Sequence, residues 1–457
     1  MRTRVSPRLR PRVIVAAVLL SLPAILFYGI LLRKAVNVPL LDDYEALLDF
    51  LNHLAELESP SARVSYFLAA QFNEYKLFFG HAVAWLQLAF LGHTDLRVLC
   101  AIGNGFVLLL AILLWTMFLP DHENLARRMA FFIPVSYLLF QLGYSATLNW
   151  AMPSLQNLPV LVFSLGTIYL LVRGSRQAFC VGMIGLILAV SASGNGFLVI
   201  PIGVIILALT RHYVRLVSWL IVSAGSVAAY AYHYNLMSSQ SRLHHSVLET
   251  VLHLRPLYVI AFMGSVAAFP PLLGRYHLEV LWSISLGLLL CAYFFVLGRR
   301  GYPRRNPAVA YCILFLLLTA IGVAGIRSDF GISQSLESRY AIYSALFLIF
   351  AWFSIVEEIL QHQNLPLRRN GIFLAAVLGT MVFCLMMDFR GSRYFEERNL
   401  VLVTGMAAYE HPVSTKSGLG PVLPIPGQNA RMNELDQRAP LILRQSTRLG
   451  IYRPPVF

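Results

Sequence analysis

Charge is what this sequence lacks. Of its 457 residues 13% are Asp, Glu, Lys or Arg and 58% are hydrophobic, whereas soluble proteins carry about a quarter charged residues. That deficit excludes a soluble enzyme. Lysine is scarcer still, at Lys34, Lys76 and Lys416 alone. Cys100, Cys180, Cys291, Cys312 and Cys384 all fall inside apolar runs, which excludes a loop disulfide or a CxxC metal site and leaves the redox compartment unspecified. There is no Walker-type nucleotide loop, no internal repeat and no low-complexity tract.

What is present is apolar sequence in long runs. A bilayer-crossing helix needs about 20 mostly apolar residues, and such runs extend from Val13 to about residue 388. They predict an all-α polytopic membrane protein with about 11 transmembrane helices, within about 10 to 13. The expected spans are 13–32, 96–119, 129–147, 157–172, 179–193, 196–210, 216–232, 278–297, 307–326, 340–360 and 371–388. Two further segments are read as re-entrant or interfacial: 77–92, with His81 and Gln87, and 257–273, with Pro270 and Pro271.

Arg2, Arg4, Arg8, Arg10 and Arg12 precede the first span, which has no cleavage site, so it reads as retained with a cytoplasmic amino terminus. On this topology the inner segments hold 17 Lys and Arg in 51 residues, far denser than the outer loops. The net charge of +14 is then membrane anchoring and no argument for nucleic acid. The organisation is a transmembrane domain over 1–388, with a first external loop at 33–76, followed by a small extracytoplasmic tail over 389–457.

The first loop holds seven of the 22 acids: Asp42, Asp43, Glu45, Asp49, Glu56, Glu58 and Glu74. Leu41, Tyr44, Leu47, Leu48, Leu51 and Leu54 follow helical spacing and predict an amphipathic helix along the membrane surface. Asp42 reads as its N-cap, closing a capping box with Glu45, and Asp42 or Asp43 as a general base or a ligand for a divalent cation such as Mg or Mn; the readings are compatible, since one aspartate can cap while its neighbour points inward. Gln71, Asn73, Glu74 and Lys76 form a polar group before the 77–92 segment; Glu74 and Lys76 also fit interfacial anchors. Asn149, Trp150, Gln156 and Asn157 suit sugar hydroxyls and ring faces, and Trp150 equally suits the interfacial aromatic belt. Asn195, between Gly194 and Gly196, interrupts about 30 apolar residues and predicts either a broken-helix binding site or a plain hairpin turn.

The loop from Arg327 to Tyr340 places Arg327, Arg339, Asp329 and Glu337 on the side where arginine is disfavoured. Pairing of Arg327 with Asp329 and of Glu337 with Arg339 is one account. An anion site is the other, because guanidinium binds phosphate in bidentate fashion and stays charged beside a membrane.

This order of motifs resembles the GT-C superfamily of polytopic glycosyltransferases, bacterial members of unassigned substrate above all. The resemblance rests on Asp42 and Asp43 opening a long external loop, then Asn73 and Glu74, Gln156 and Asn157, the Asn195 turn, and the loop ending Ser338, Arg339, Tyr340. It implies transfer of a sugar from a polyprenyl-phosphate carrier to a glycan, lipid or protein acceptor, outside a bacterial inner membrane. It implies Asp42 or Asp43 as base, Arg327, Arg339 and Tyr340 at the lipid phosphate, and Asn73, Glu74, Gln156, Asn157, Asn195 and Glu337 at substrate. Tyr75 stands where the pattern leads one to expect His. Other readings are a transporter or flippase of lipid-linked sugars, an envelope polysaccharide polymerase, or a structural membrane protein; apolar mid-span positions and the absence of a repeat count against the transporter.

Overall fold

The computed structural model describes residues 10–73, 75–119, 124–235, 255–268, 276–361, 366–410 and 429–455. Glu74, Pro270, Pro271 and most of the 232–256 loop lie outside them, as does the 411–428 stretch of the tail. Among the described residues the only β-pairing is two isolated bridges, Phe72 with Tyr75 and Thr94 with Tyr452.

In chain order the helices are α1 (Arg10–Lys34), a π-helix (Asp43–Asp49), α2 (Phe50–Glu56), α3 (Pro60–Ala69), α4 (Phe78–Leu91), α5 (Leu96–Met117), α6 (Leu125–Leu139), α7 (Ser145–Leu148), α8 (Ala151–Arg173), α9 (Arg176–Ala192), α10 (Val199–Leu209) and α11 (Tyr213–Ala231). There follow α12 (Pro256–Met263), α13 (Tyr276–Arg299), α14 (Tyr302–Arg305), α15 (Pro307–Arg327), α16 (Ala341–Gln361), α17 (Pro366–Glu410) and α18 (Asn429–Arg448). Among the described residues nine helical stretches are long and apolar enough to cross a membrane, so the chain is an all-α, multi-pass membrane protein. The expected spans at 179–193 and 196–210 fall in shorter apolar helices, as does the 77–92 segment.

The helices form two compact units. The first comprises residues 1–31, 107–145 and 245–392. Here Trp352 of α16 donates its indole N–H to the Phe131 carbonyl (2.8 Å), and Ser136 of α6 donates to the Leu20 carbonyl of α1 (2.7 Å). Such interhelical polar contacts hold helices together where lipid gives no hydrophobic drive. Gly264, at the end of α12, faces the Ser283 carbonyl of α13, and Gly287 of α13 faces the Ile260 carbonyl of α12. A Cβ at either would collide with the partner backbone, so glycine is what allows this crossing.

The second unit comprises residues 32–106, 146–244 and 393–457. Its core gathers Tyr44, Leu47, Leu48, Leu51 and Leu54 from the first loop with Leu99, Leu155, Leu443 and Tyr452. The first-loop helix therefore does not present its apolar stripe to the bilayer, as its spacing suggests. α18 covers it: Asn52 donates to the Ile442 carbonyl (3.2 Å) and accepts from the Ser446 hydroxyl (2.9 Å). Arg438 pairs with Glu45 and Asp49, and Gln445 donates to Glu56. The described residues of the expected tail from 393 onward thus belong to this unit. α17 shows the same continuity, running 45 residues without a break at 389; that is about 68 Å, over twice the roughly 30 Å of a hydrocarbon core.

Candidate functional site

The acid pair sits where the chain turns from an extended segment into the π-helix. Leu41 adopts φ +45°, a left-handed conformation that costs a non-glycine residue about 1–2 kcal/mol. Asp43 holds this turn: its amide donates to the Leu40 carbonyl (2.9 Å), and its Oδ2 accepts the Leu40 amide (3.1 Å). Its Oδ1 accepts the amide of Met152 in the first turn of α8 (2.9 Å). First-turn amides have no partner within their own helix and favour negative charge, so Asp43 caps α8 from outside it. Burial pushes the Asp43 carboxyl from 3.8 up to about 7, against the pull of the two amides and of the Arg398 charge, and with a push from Asp42.

Asp42 occupies the N-cap position of the π-helix yet makes no side-chain capping bond. The capping box expected with Glu45 does not form, because the Glu45 carboxylate is turned to Arg438. Asp42 is half-buried, whereas Asp43 is 2% exposed. The two acids thus divide: Asp43 is committed to the backbone, and Asp42 is the more accessible.

A wide π turn follows. His81 of α4 lies flat on Phe50, ring centroids 3.8 Å apart, and its Nε2 is 2.9 Å from the Ala46 carbonyl. A carbonyl only accepts, so Nε2 carries the proton and Nδ1 is left as a buried lone pair with no partner. π-helical turns are rare and recur at functional sites.

Arg398 of α17 stands beside this turn, and its charge acts on Asp43. It is 7% exposed and lies over the rings of Trp150 (5.6 Å to the centroid) and Tyr394 (5.7 Å). Nearby, Asn149 donates to the Asn399 side chain (3.1 Å), which donates to the Lys34 carbonyl (2.5 Å). Sequence reasoning missed Arg398 because charge in a segment read as a tail looks solvated. The available signal was Tyr394 one helical turn earlier, an i, i+4 spacing that lets a guanidinium cover a ring.

The remaining expected residues are placed as follows. Asn73 forms a turn at φ +50°, and its carbonyl accepts from Gln71 (2.7 Å), whose side chain also exchanges two hydrogen bonds of 2.9 Å with the backbone of Asn235. Lys76, expected at the interface, is fully buried; it donates to the carbonyls of Leu68 (2.5 Å) and Tyr232, and burial lowers its ammonium pKa. This polar group ties the first loop to the end of α11. Asn157 bonds back to the Pro153 carbonyl within α8 (3.0 Å), and Gln156 is half-buried on the same helix. Asn195 lies in the 3-10 turn Gly194–Leu198 that separates α9 from α10.

The Arg327–Tyr340 loop belongs to the first unit and is a run of short 3-10 turns. Arg339 pairs with Glu337 (2.5 Å) and lies over Tyr340, which packs on Phe262. Arg327 lies over Phe330.

A divalent cation at the first-loop acids does not fit this donor set. Mg and Mn want several oxygen ligands, but both Asp43 oxygens are taken by amides. Among the described residues no three His, Cys, Asp or Glu side chains gather to hold an ion.

No family model matches the chain, and no curated protein matches it.

Proposed function

We propose that this protein is a GT-C-like membrane glycosyltransferase with about 11 spans, moving a sugar from a polyprenyl-phosphate carrier to a glycan, lipid or protein acceptor. On this reading the amino terminus is cytoplasmic and the reaction lies on the extracytoplasmic face of a bacterial inner membrane. The supporting observation is the division of labour between the two acids. Asp43 is anchored to Leu40 and Met152, and this fixes the backbone of Asp42 at the head of a π-helix.

The chemistry needs a base, a cation for the phosphate and orientation. Asp42 takes the proton of the acceptor hydroxyl while that oxygen bonds to the anomeric carbon. The bond from this carbon to the phosphate oxygen breaks, and the lipid phosphate leaves with the electron pair. A single displacement inverts the anomeric centre. Arg327 and Arg339 are the residues that the GT-C resemblance assigns to the phosphate, with Tyr340 beside them. Asn73, Glu74, Gln156, Asn157, Asn195 and Glu337 keep the substrate roles that it implies.

The test incubates membranes holding the protein with labelled polyprenyl-phosphate sugars and a cell-envelope acceptor extract. Transfer that is lost in Asp42→Asn and Arg339→Ala supports the assignment. Absence of transfer with every donor, with label crossing the membrane instead, replaces it with a transporter.

A further inference from the structure

Arg398 and Trp150 share an unmet need. The Nη1 of Arg398 and the Nε1 of Trp150 are both buried donors with no hydrogen-bond partner. A buried donor without an acceptor is destabilising, and more so when it is charged. The guanidinium lies over the Trp150 ring, so both donors belong to one locality. Asp43 does not neutralise it: its oxygens are spent on the amides of Leu40 and Met152, and no ion pair joins it to Arg398 among the described residues. Tyr394 covers the guanidinium as well, holding its plane in place. Two fixed, desolvated donors, one of them on a cation, define a receptor for a group that offers oxygen lone pairs and negative charge.

We propose that Arg398 and Trp150 bind an oxyanion, the carboxylate or phosphate of an anionic acceptor glycan. The placement of the oxyanion on the acceptor rests on the reading that Asp42 takes the acceptor's proton, since Arg398 lies over Trp150, two residues before the Met152 amide that Asp43 holds. The site asks for an acidic sugar or a phosphorylated one and disfavours a neutral hexose.

Two measurements test this. The first uses the full-length protein in detergent, at constant ionic strength, and reads the rise in melting temperature with inorganic phosphate, glucuronate or glucose. Phosphate or glucuronate should stabilise the wild type and glucose should not. The apparent affinity should fall about 10- to 100-fold in Arg398→Gln, the loss of one charge-assisted contact, and about 5-fold in Trp150→Phe, which keeps the ring and removes the N–H. If Arg398→Gln does not fold, Trp150→Phe carries the test. No response to either anion, or a response unchanged in the variants, overturns the site.

The second measurement is the Michaelis constant in the transfer assay. Arg398→Gln should raise KM for the acceptor about tenfold or more and leave KM for the lipid donor unchanged. A rise confined to the donor places the oxyanion on the lipid carrier and overturns the acceptor assignment. The binding measurement involves no turnover, so it stands or falls separately from the transfer reaction.

Discussion

Asp43 accepts the backbone amide of Met152 at 2.9 Å, across 109 residues of chain. This bond and the one from Leu40 make Asp43 a structural acid. Asp43→Ala leaves the buried Met152 amide unpaired, at about 1–3 kcal/mol, and the part-buried Leu40 amide with it, and should lower the melting temperature sharply. Asp43→Asn retains one acceptor and should lower it less. Equal melting temperatures for wild type and Asp43→Ala would contradict the capping role.

Burial raises the Asp43 carboxyl from 3.8 to about 7. The folded state therefore holds a proton that the unfolded chain releases between about pH 4 and pH 7, so this contribution to stability is complete below pH 4 and is lost as pH rises through 7. Burial also raises Asp49, which acts in the same direction, while Asp95 is held down by Arg97 and acts in the opposite one. The measurable quantity is the difference between wild type and Asp43→Asn. The wild type should lose stability relative to the variant from pH 4 to pH 7; a flat difference would contradict the shift.

As the proposed base, Asp42 should matter more to the reaction than to the fold. Asp42→Asn is expected to slow transfer about 10²- to 10⁴-fold, the usual contribution of a general base, with a melting temperature close to wild type. Rapid transfer by a stable Asp42→Asn protein would remove Asp42 from the mechanism.

The attachment of α18 can be dissected at two residues. Asn52 is fully buried and bonded to both Ile442 and Ser446, so Asn52→Ala should cost about 1–3 kcal/mol. Arg438 is half exposed, and Arg438→Ala should cost at most about 1 kcal/mol, as solvent-screened pairs do. Guanidinium or thermal unfolding of the two variants should rank them in that order.

Gly287 meets the Ile260 carbonyl where α12 crosses α13. Gly287→Ala should push the helices apart and cost about 1–3 kcal/mol, the range for overpacking a close contact. Gly298→Ala, on the same helix with open space around it, is the matched control and should be neutral.

The membrane helices were legible because an apolar run of about 20 residues states its environment directly. The first-loop helix was legible too, since Tyr44, Leu47, Leu48, Leu51 and Leu54 repeat at its period. What covers that helix was not: α18 lies some 390 residues away, and Ile442 and Leu443 carry no mark of their partner. Lys76 and Gln71 belong to a polar group that suggests chemistry at a membrane edge, yet they bond to backbone groups of Leu68, Asn73, Tyr232 and Asn235. Arg398 was hidden for the opposite reason, its charge suggesting solvent where the fold buries it. A titratable side chain announces its chemistry in sequence, but whether it is spent on the backbone or left to a ligand depends on distant elements.

Asn52 and Ser446 are 394 residues apart in the chain. At about 5–20 residues per second of synthesis, the loop bearing Asp42 and Asp43 waits on the order of 20 to 80 seconds for the helix that covers it. The acid turn is therefore encoded among the first residues and completed among the last. A nascent chain interrupted before Asn429 would already contain every candidate span while its buried first-loop stripe stayed uncovered, a state in which chaperone binding or proteolysis can reach it.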